Sequence, residues 1–486
     1  MKNSTYTFLL LTINFLLLVS CSKKETASNT KSEPTIKKVD AYLNAIIKAD
    51  EIPGMAVAIV QNGQVVHQKN YGLANIAHKV PVTDSTLFRA YSTTKLMTSV
   101  AVFQLIEEGK ISLNTQISKY ISELPESWKN ITIAHLLSCS SGLPDYKNLD
   151  QNLSDKDLLN TLTKQDLHFE KGYKYEYSQT NYWFLQMIIE KVTNQKFEEF
   201  VIENQFNNTS DEVLFASNSL VDYPNRVAKY QYNKVYNTYE KTTYAAGNRS
   251  LAGNGLNATL NSLIVWNNKL DKDQLIKSET KLKMMSPFAY KNNRSRFAYT
   301  WGVYGPADKQ YYGFTGGGVS ALMKFVNHDL SIIILTNGFK NRPVIANMIT
   351  YLSGIMDDRL MRQDRVLNED IRLAFLTNSY ENGAETFHQI KQKHQDINFE
   401  RGLNITGYCC LLNKQLKKSI AIFKLYTQEY PNSSNAFDSL GEAYFTNQQY
   451  DLAKSAYEKA LELESSNKNA MEMILKIENI VSKTVN

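Results

Sequence analysis

Asn62-Gly63, set between Met55-Ala56-Val57-Ala58-Ile59-Val60 and Gln64-Val65-Val66-His67-Gln68, is the feature that most narrows the fold. Two residues that tolerate left-handed backbone, flanked by short apolar and β-branched runs, predict a two-residue hairpin. A lone hairpin is not stable in water and needs partner strands. The next strand-like runs come only far along the chain, at Phe297-Ala298-Tyr299-Thr300-Trp301, Val319 to Val326 and Leu330 to Leu335, with Asn327-His328-Asp329 turning between the last two. The intervening stretch from Trp128 to Met285 reads mostly as helices and loops, with the clearest helical patterns at Leu158 to Thr163 and Asn181 to Val192. Early and late strands around a helical middle predict one antiparallel sheet completed by both ends of the domain. Pro343 to Tyr351 is the expected closing helix. The expected class is α+β: an antiparallel sheet flanked by helices, a mostly helical subdomain, and an all-α domain behind them.

The chemistry centres on Ser92-Thr93-Thr94-Lys95, followed by Leu96, Val100, Phe103 and Ile106 at helical spacing and ending at Gly109. This pattern places Ser92 in or just before a first helical turn, with Lys95 one turn on and on the same face. A hydroxyl and an amine so placed suit a serine nucleophile, aided by the positive end of the helix.

Further stretches follow in order: Ile131-Thr132-Ile133-Ala134-His135-Leu136-Leu137-Ser138-Cys139-Ser140-Ser141-Gly142-Leu143-Pro144-Asp145-Tyr146, then Tyr177-Ser178-Gln179-Thr180-Asn181-Tyr182. Gly253-Asn254-Gly255-Leu256-Asn257-Ala258-Thr259 precedes Trp266, and Phe314-Thr315-Gly316-Gly317 precedes the last two strands. Together with Ser92-x-x-Lys95, this series resembles the serine β-lactamase-related group, which comprises class C β-lactamases, DD-peptidases and similar esterases. The resemblance covers residues 38 to 352. It implies Ser92 as nucleophile, Lys95 as proton holder, and Tyr177 as general base with its hydroxyl made more acidic by cationic neighbours. It also implies an oxyanion hole from the backbone N–H groups of Ser92 and Gly317. Gln179, Phe314, Thr315 and Gly316 are the implied substrate contacts.

Three positions depart from the family pattern. Gln179 stands for Asn, Cys139 for the second His of its segment, and Phe314 for the Lys or His of the third motif. An aromatic ring at 314 cannot hold a substrate carboxylate. Its presence shifts the expected substrate toward neutral esters or amides, with β-lactams or D-amino-acid peptides kept open because Arg249 or Arg342 offers a compensating charge.

Residues 1–21 read as a targeting leader, with Lys2 ahead of an apolar run from Phe8 to Val19 that is too short to span a bilayer. Leu18-Val19-Ser20-Cys21 resembles the bacterial lipobox, implying lipidation at Cys21 and a cell-envelope location, on the periplasmic side of a membrane or the outer surface. Residues 22–37 read as a polar tether, 38–356 as the hydrolase domain and 357–486 as a helical domain. In that last region Gly407 and Gly441, Ser419 and Ala453, and Phe423 and Tyr457 are each 34 residues apart, a period that resembles tetratricopeptide repeats. Cys410 and Tyr426 fit the first repeat poorly, and Glu381 to Gln392 reads as a preceding half-repeat. A simple helical hairpin without binding function is the alternative to a protein-binding tail.

The net charge of +6 is small for 486 residues, and no basic cluster interleaves with aromatics, so no nucleic-acid partner is expected. Four cysteines make no disulfide framework, and no His-Glu-x-x-His or paired Cys-x-x-Cys is present, so neither metal nor cofactor is expected. Two readings follow. The first is a lipid-anchored serine hydrolase cleaving a small-molecule or peptide ester or amide through an acyl-enzyme. The second is a catalytically degenerate binding protein. The anchor has its own test: Cys21→Ser should leave an uncleaved or soluble precursor, because no other apolar segment can hold the chain in a bilayer. Unchanged fractionation with membranes after a high-salt wash would count against lipidation.

Overall fold

A computed structural model describes residues 33–206, 211–243, 247–294, 296–340 and 344–485. The leader, Cys21 and most of the tether therefore lie outside the described residues. The tether's expected end does not hold: Glu33–Asp50 is one helix, so residues 33–37 are already helical.

The strands in chain order are β1 (Gly54–Gln61), β2 (Gln64–Asn75), β3 (Val80–Pro81), β4 (Phe88–Arg89), β5 (Val213–Phe215), β6 (Tyr230–Asn233), β7 (Thr238–Lys241), β8 (Leu256–Ala258), β9 (Gly302–Tyr304), β10 (Tyr311–Gly316), β11 (Ser320–Phe325) and β12 (Leu330–Thr336). Seven of them form one sheet in the order β3-β2-β1-β12-β11-β10-β9. The predicted closure by both ends is the antiparallel pairing of β1 with β12, running from Met55 opposite Thr336 to Gln61 opposite Leu330. Asn62 and Gly63 take φ of 52° and 72°, the left-handed pair a two-residue hairpin requires.

Alternation along β1 splits the core in two. Met55, Val57 and Ile59 face the helices Glu33–Asp50 and Ile345–Met356. Ala56, Ala58 and Val60 face the helical subdomain, where the helix Leu260–Asp271 lies across β1 and β12. The Ser92 helix, Thr94–Glu107, runs through the middle of that second core, with Leu96, Met97, Val100 and Phe103 fully buried.

Two expectations need correction. Phe297–Trp301 is not a strand: Thr300 has φ of 78° and donates its hydroxyl to the Leu137 carbonyl, leaving one isolated bridge between Phe297 and Gly302. A turn whose polar residue is tied inward has the same apolar pattern as a strand. The middle of the chain also contributes β5 and β8 to a small sheet with β4 and forms the β6-β7 hairpin, strands that the helical reading missed.

The tail is built from antiparallel helix pairs. Glu400–Leu412 and Leu416–Glu429 are followed, 34 residues on, by Ser434–Thr446 and Tyr450–Leu463. The period has a steric cause. Any Cβ at Gly407 would sit 2.4 Å from the Phe423 ring, and one at Gly441 would sit 2.9 Å from the Tyr457 ring. Each glycine lets a partner aromatic seal its pair.

A boundary at 356 cuts through packed structure. The helix Gln363–Thr377 gives Leu373 to the core under the sheet, and Ile371 and Phe375 to the core of the tail. Its Arg372, 1% exposed, forks onto the fully buried Asp50 carboxylate at 3.1 and 2.9 Å and also pairs with Glu369. Deleting one partner of a buried ion pair strands the other, at a cost of about 3–5 kcal/mol. A chain ending at 356 should therefore unfold at clearly lower denaturant than one ending at 378, which keeps Arg372. Equal midpoints would show that this helix belongs to the tail alone.

Candidate active site

The chain approaches Ser92 along β4 and then turns sharply. Tyr91 adopts φ of 46°, an uncommon conformation for a bulky residue, and a single 3₁₀ turn, Tyr91–Thr93, leads into the helix Thr94–Glu107. The turn is fastened to the sheet. Ser320 on β11 donates to the Ala90 carbonyl at 2.6 Å, and its hydroxyl lies 3.1 Å from that of Thr93. Gly316, at the end of β10, passes so close that a Cβ would lie 2.1 Å from the Ala90 oxygen and 2.9 Å from the Ser92 nitrogen. Only glycine allows that approach. Gly317 follows with φ of 57°, and both Ser92 and Gly317 line the same open cleft.

Tyr177 comes from the segment before the helix Gln179–Thr193. The Ser-Ser-Gly-Leu-Pro-Asp-Tyr stretch is its cradle. The Cys139 carbonyl accepts from the Glu176 N–H, Ser141 donates to Asn181 at 2.6 Å, the Tyr146 N–H donates to Thr180, and Asp145 accepts from the Gln179 N–H at 3.1 Å. Cys139 supports this turn with φ of 50° and a buried thiol 3.7 Å from the Tyr182 hydroxyl.

These supports bring four side chains into one ring. The hydroxyls of Ser92 and Tyr177 are 2.8 Å apart. Lys95 Nζ lies 3.4 Å from Ser92 Oγ and 3.1 Å from Gln179 Oε1, and the Gln179 amide donates to the Tyr177 oxygen at 3.0 Å. A fifth contact comes from outside the ring: Lys95 donates to the Gly253 carbonyl at 2.5 Å. The extra methylene of Gln179, compared with Asn, gives an amide that reaches Lys95 with one end and Tyr177 with the other.

Lys95 is fully buried, and burial is the main reason its pKa falls to about 7. Burial also acts on Tyr177, pushing its hydroxyl above the ordinary tyrosine range against the smaller effects of Ser92 and Gln179. The expected acidic tyrosine is not found. Burial is the physical reason, and position 314, where an aromatic ring sits 6.2 Å from that of Tyr177, brings no charge to offset it. Phe314 is 8% exposed and also packs against Phe297. Thr315, on the opposite face of β10, is partly exposed.

Of the compensating cations considered from sequence, the one described, Arg249, is engaged away from the cleft. Arg249 is held by Asp155 at 2.7 Å and by the carbonyls of Leu153 and Gln151, and Arg342 lies outside the described residues. Sequence reasoning missed the Gly253 carbonyl, Arg89 and Lys229. Arg89 donates to Asn254 Oδ1 at 3.0 Å from within the buried turn, and both cations lie over the Tyr91 ring, at 4.5 and 4.7 Å. The signal for the first was the glycine-rich turn at 253–255. Among the described residues no cluster of potential metal ligands is present.

Comparison with known proteins agrees with this geometry. Protein flp of Staphylococcus aureus (strain COL) is 32% identical over 174 residues, 34% of this chain and 35% of that protein, so the chain matches about a third of that relative's length. Penicillin-binding protein 4* of Bacillus subtilis (strain 168) is 25% identical over 306 residues, 58% of this chain and 67% of that protein. Among solved structures, the octameric penicillin-binding protein homologue from Pyrococcus abyssi superposes with a TM-score of 0.60 at 19% identity, covering 70% of this chain and 82% of that one. FmtA from Staphylococcus aureus gives 0.55 at 22% identity, covering 67% and 90%. The family model described as Beta-lactamase matches residues 39–351, the same stretch that carries the sheet, the Ser92 helix and the Tyr177 cradle, and the chain belongs to that family.

Proposed function

We propose that the protein is a serine hydrolase that cleaves an ester or amide through an acyl-enzyme on Ser92, with Lys95 as the base. The observation that carries this reading is the hydrogen-bonded ring of Ser92, Lys95, Gln179 and Tyr177. With Lys95 neutral, its two N–H groups serve Gly253 and Gln179, and its lone pair is left for the serine proton. The directions then close into a cycle: Gln179 donates to Tyr177, Tyr177 to Ser92, Ser92 to Lys95, and Lys95 to Gln179.

Attack by Ser92 Oγ on the substrate carbonyl carbon sends the serine proton to Lys95 and the carbonyl π electrons to oxygen. The N–H groups of Ser92 and Gly317 are the donors for that oxyanion. Collapse reforms the carbonyl and breaks the bond to the leaving group. That group takes the Tyr177 proton, which the Lys95 ammonium replaces. Water then repeats the sequence and releases the acid. Tyr177 acts throughout as a neutral relay, in keeping with its raised pKa. The intact ring weighs against the degenerate binding-protein reading.

The lipid anchor at Cys21, an envelope location and a protein partner for the tail belong to the same proposal. The leader pattern supports the first two, and the 34-residue helix-pair repeat supports the third.

A serine-directed fluorophosphonate should label wild-type protein at Ser92 and leave Ser92→Ala unlabelled. The labelling rate should rise with pH and level off, with a midpoint near the Lys95 value of about 7, because only the unprotonated amine accepts the serine proton. Absence of labelling at every pH would remove the hydrolase reading. Labelling with a midpoint in the ordinary lysine or tyrosine range, about 10, would remove Lys95 as the base.

A further inference from the structure

The cleft lined by Ser92 and Tyr91 encloses a space of about 440 Å³, within the usual range for a small-molecule site. Its wall is cationic. Arg89, Lys147, Arg226, Lys229 and Lys241 line it, and among the described lining residues Asp222 is the one carboxylate. Asp222 acts on Arg226, whose guanidinium also donates to the carbonyls of Asn218 and Val221. Lys147 and Lys241 are exposed on the rim.

Lys229 differs from these four. It is half-buried just before β6, and its ammonium lies 4.7 Å from the centroid of the Tyr91 ring. Arg89 lies 4.5 Å from that same centroid. Two cations thus share one ring beside the nucleophile, and among the described residues the Lys229 ammonium faces a ring and a guanidinium rather than a carboxylate. Burial first, and the Arg89 charge second, make its protonated form harder to keep. An anion bound between them would relieve that repulsion and regain the lost solvation.

The position is also chemically useful. Gly317 packs on Tyr91, where a Cβ would be 3.1 Å from the ring. Tyr91 is therefore the shared neighbour of Gly317 and of the two cations.

We propose that this cationic recess is the anion subsite of the substrate: a carboxylate separated from the scissile carbonyl by a short spacer is held by Lys229, with Arg89 behind it. The charge the third motif lacks at Phe314 is supplied from this recess instead. This rests on Ser92 as the nucleophile, and it replaces the expected preference for neutral substrates with a preference for an acidic one.

The test uses the full chain carrying Ser92→Ala, so that esters bind without turning over, and reads affinity by isothermal titration. The probes are p-nitrophenyl hemiglutarate, with its anion on the acyl side, 3-carboxy-4-nitrophenyl hexanoate, with its anion on the leaving group, and neutral p-nitrophenyl hexanoate. One acidic ester should bind about ten- to a hundredfold tighter than the neutral one, as a charge-assisted hydrogen bond would give. The tighter ester locates the carboxylate on the acyl or the leaving-group side. Adding Lys229→Gln should bring the ratio near unity, Lys229→Arg should retain it, and raised salt should shrink it. Equal affinities for all three esters, or a preference that survives Lys229→Gln, would overturn the proposal. Binding to Ser92→Ala does not depend on turnover. Failure here is therefore distinct from failure of the hydrolase reading, which shows as absent fluorophosphonate labelling of the wild type.

Discussion

Burying an amine without a carboxylate beside it is the constraint on which the rest of this structure depends. Among the described residues Lys95 Nζ has three neighbours within hydrogen-bond reach, the Gly253 carbonyl, the Gln179 amide oxygen and the Ser92 hydroxyl, and none carries a charge. An ammonium there gives up its water for neutral dipoles, which lowers its pKa to about 7 and leaves a good share of it as free amine at neutral pH. At about 1.4 kcal/mol per tenfold change, keeping the charge costs on the order of 5 kcal/mol relative to water. The fold supplies the rigidity that holds the amine in place. The Ser92 helix is buried along most of its length, and Thr98 on that helix donates to the Ala252 carbonyl at 2.7 Å, next to the Gly253 carbonyl that takes the lysine.

Loss of the third-motif cation then reads as part of one design. A nearby positive charge at position 314 would stabilise a Tyr177 phenolate and hold the proton on Tyr177's neighbours. With Phe314 in that place no such charge is brought to Tyr177, burial holds its hydroxyl above the ordinary tyrosine range, and the proposed base is the lysine. The glutamine at 179 fits the same logic, since its amide bridges the amine and the phenol and orders both. Phe314 and Gln179, departures from the family pattern when taken one at a time, both border Tyr177.

The parts of this picture that were legible in the sequence are local. Ser92 and Lys95 are neighbours by helical spacing, Asn62-Gly63 declares its hairpin, and the tail's period shows in glycines opposite aromatics. Long-range backbone contacts were not legible. Nothing about Gly253 as a letter says that its carbonyl meets Lys95, and β10 was readable as a motif but hard to see as a strand with glycines at 313 and 316. The burial of Arg372 and Glu369 was not legible either, because a sequence does not show Asp50 arriving from the other end of the domain to meet Arg372. That pairing is why a boundary drawn from composition fell one helix too early.

The most direct test of the account is the protonation state of Lys95 itself. Full-length protein grown with lysine labelled at the ε-carbon can be titrated by NMR, with the Lys95 resonance assigned by its absence in Lys95→Arg. The account predicts a midpoint near 7 for this one lysine, set apart from the exposed lysines. A Lys95 signal that stays protonated into the ordinary range, about 10, would contradict it and return the role of base to another group.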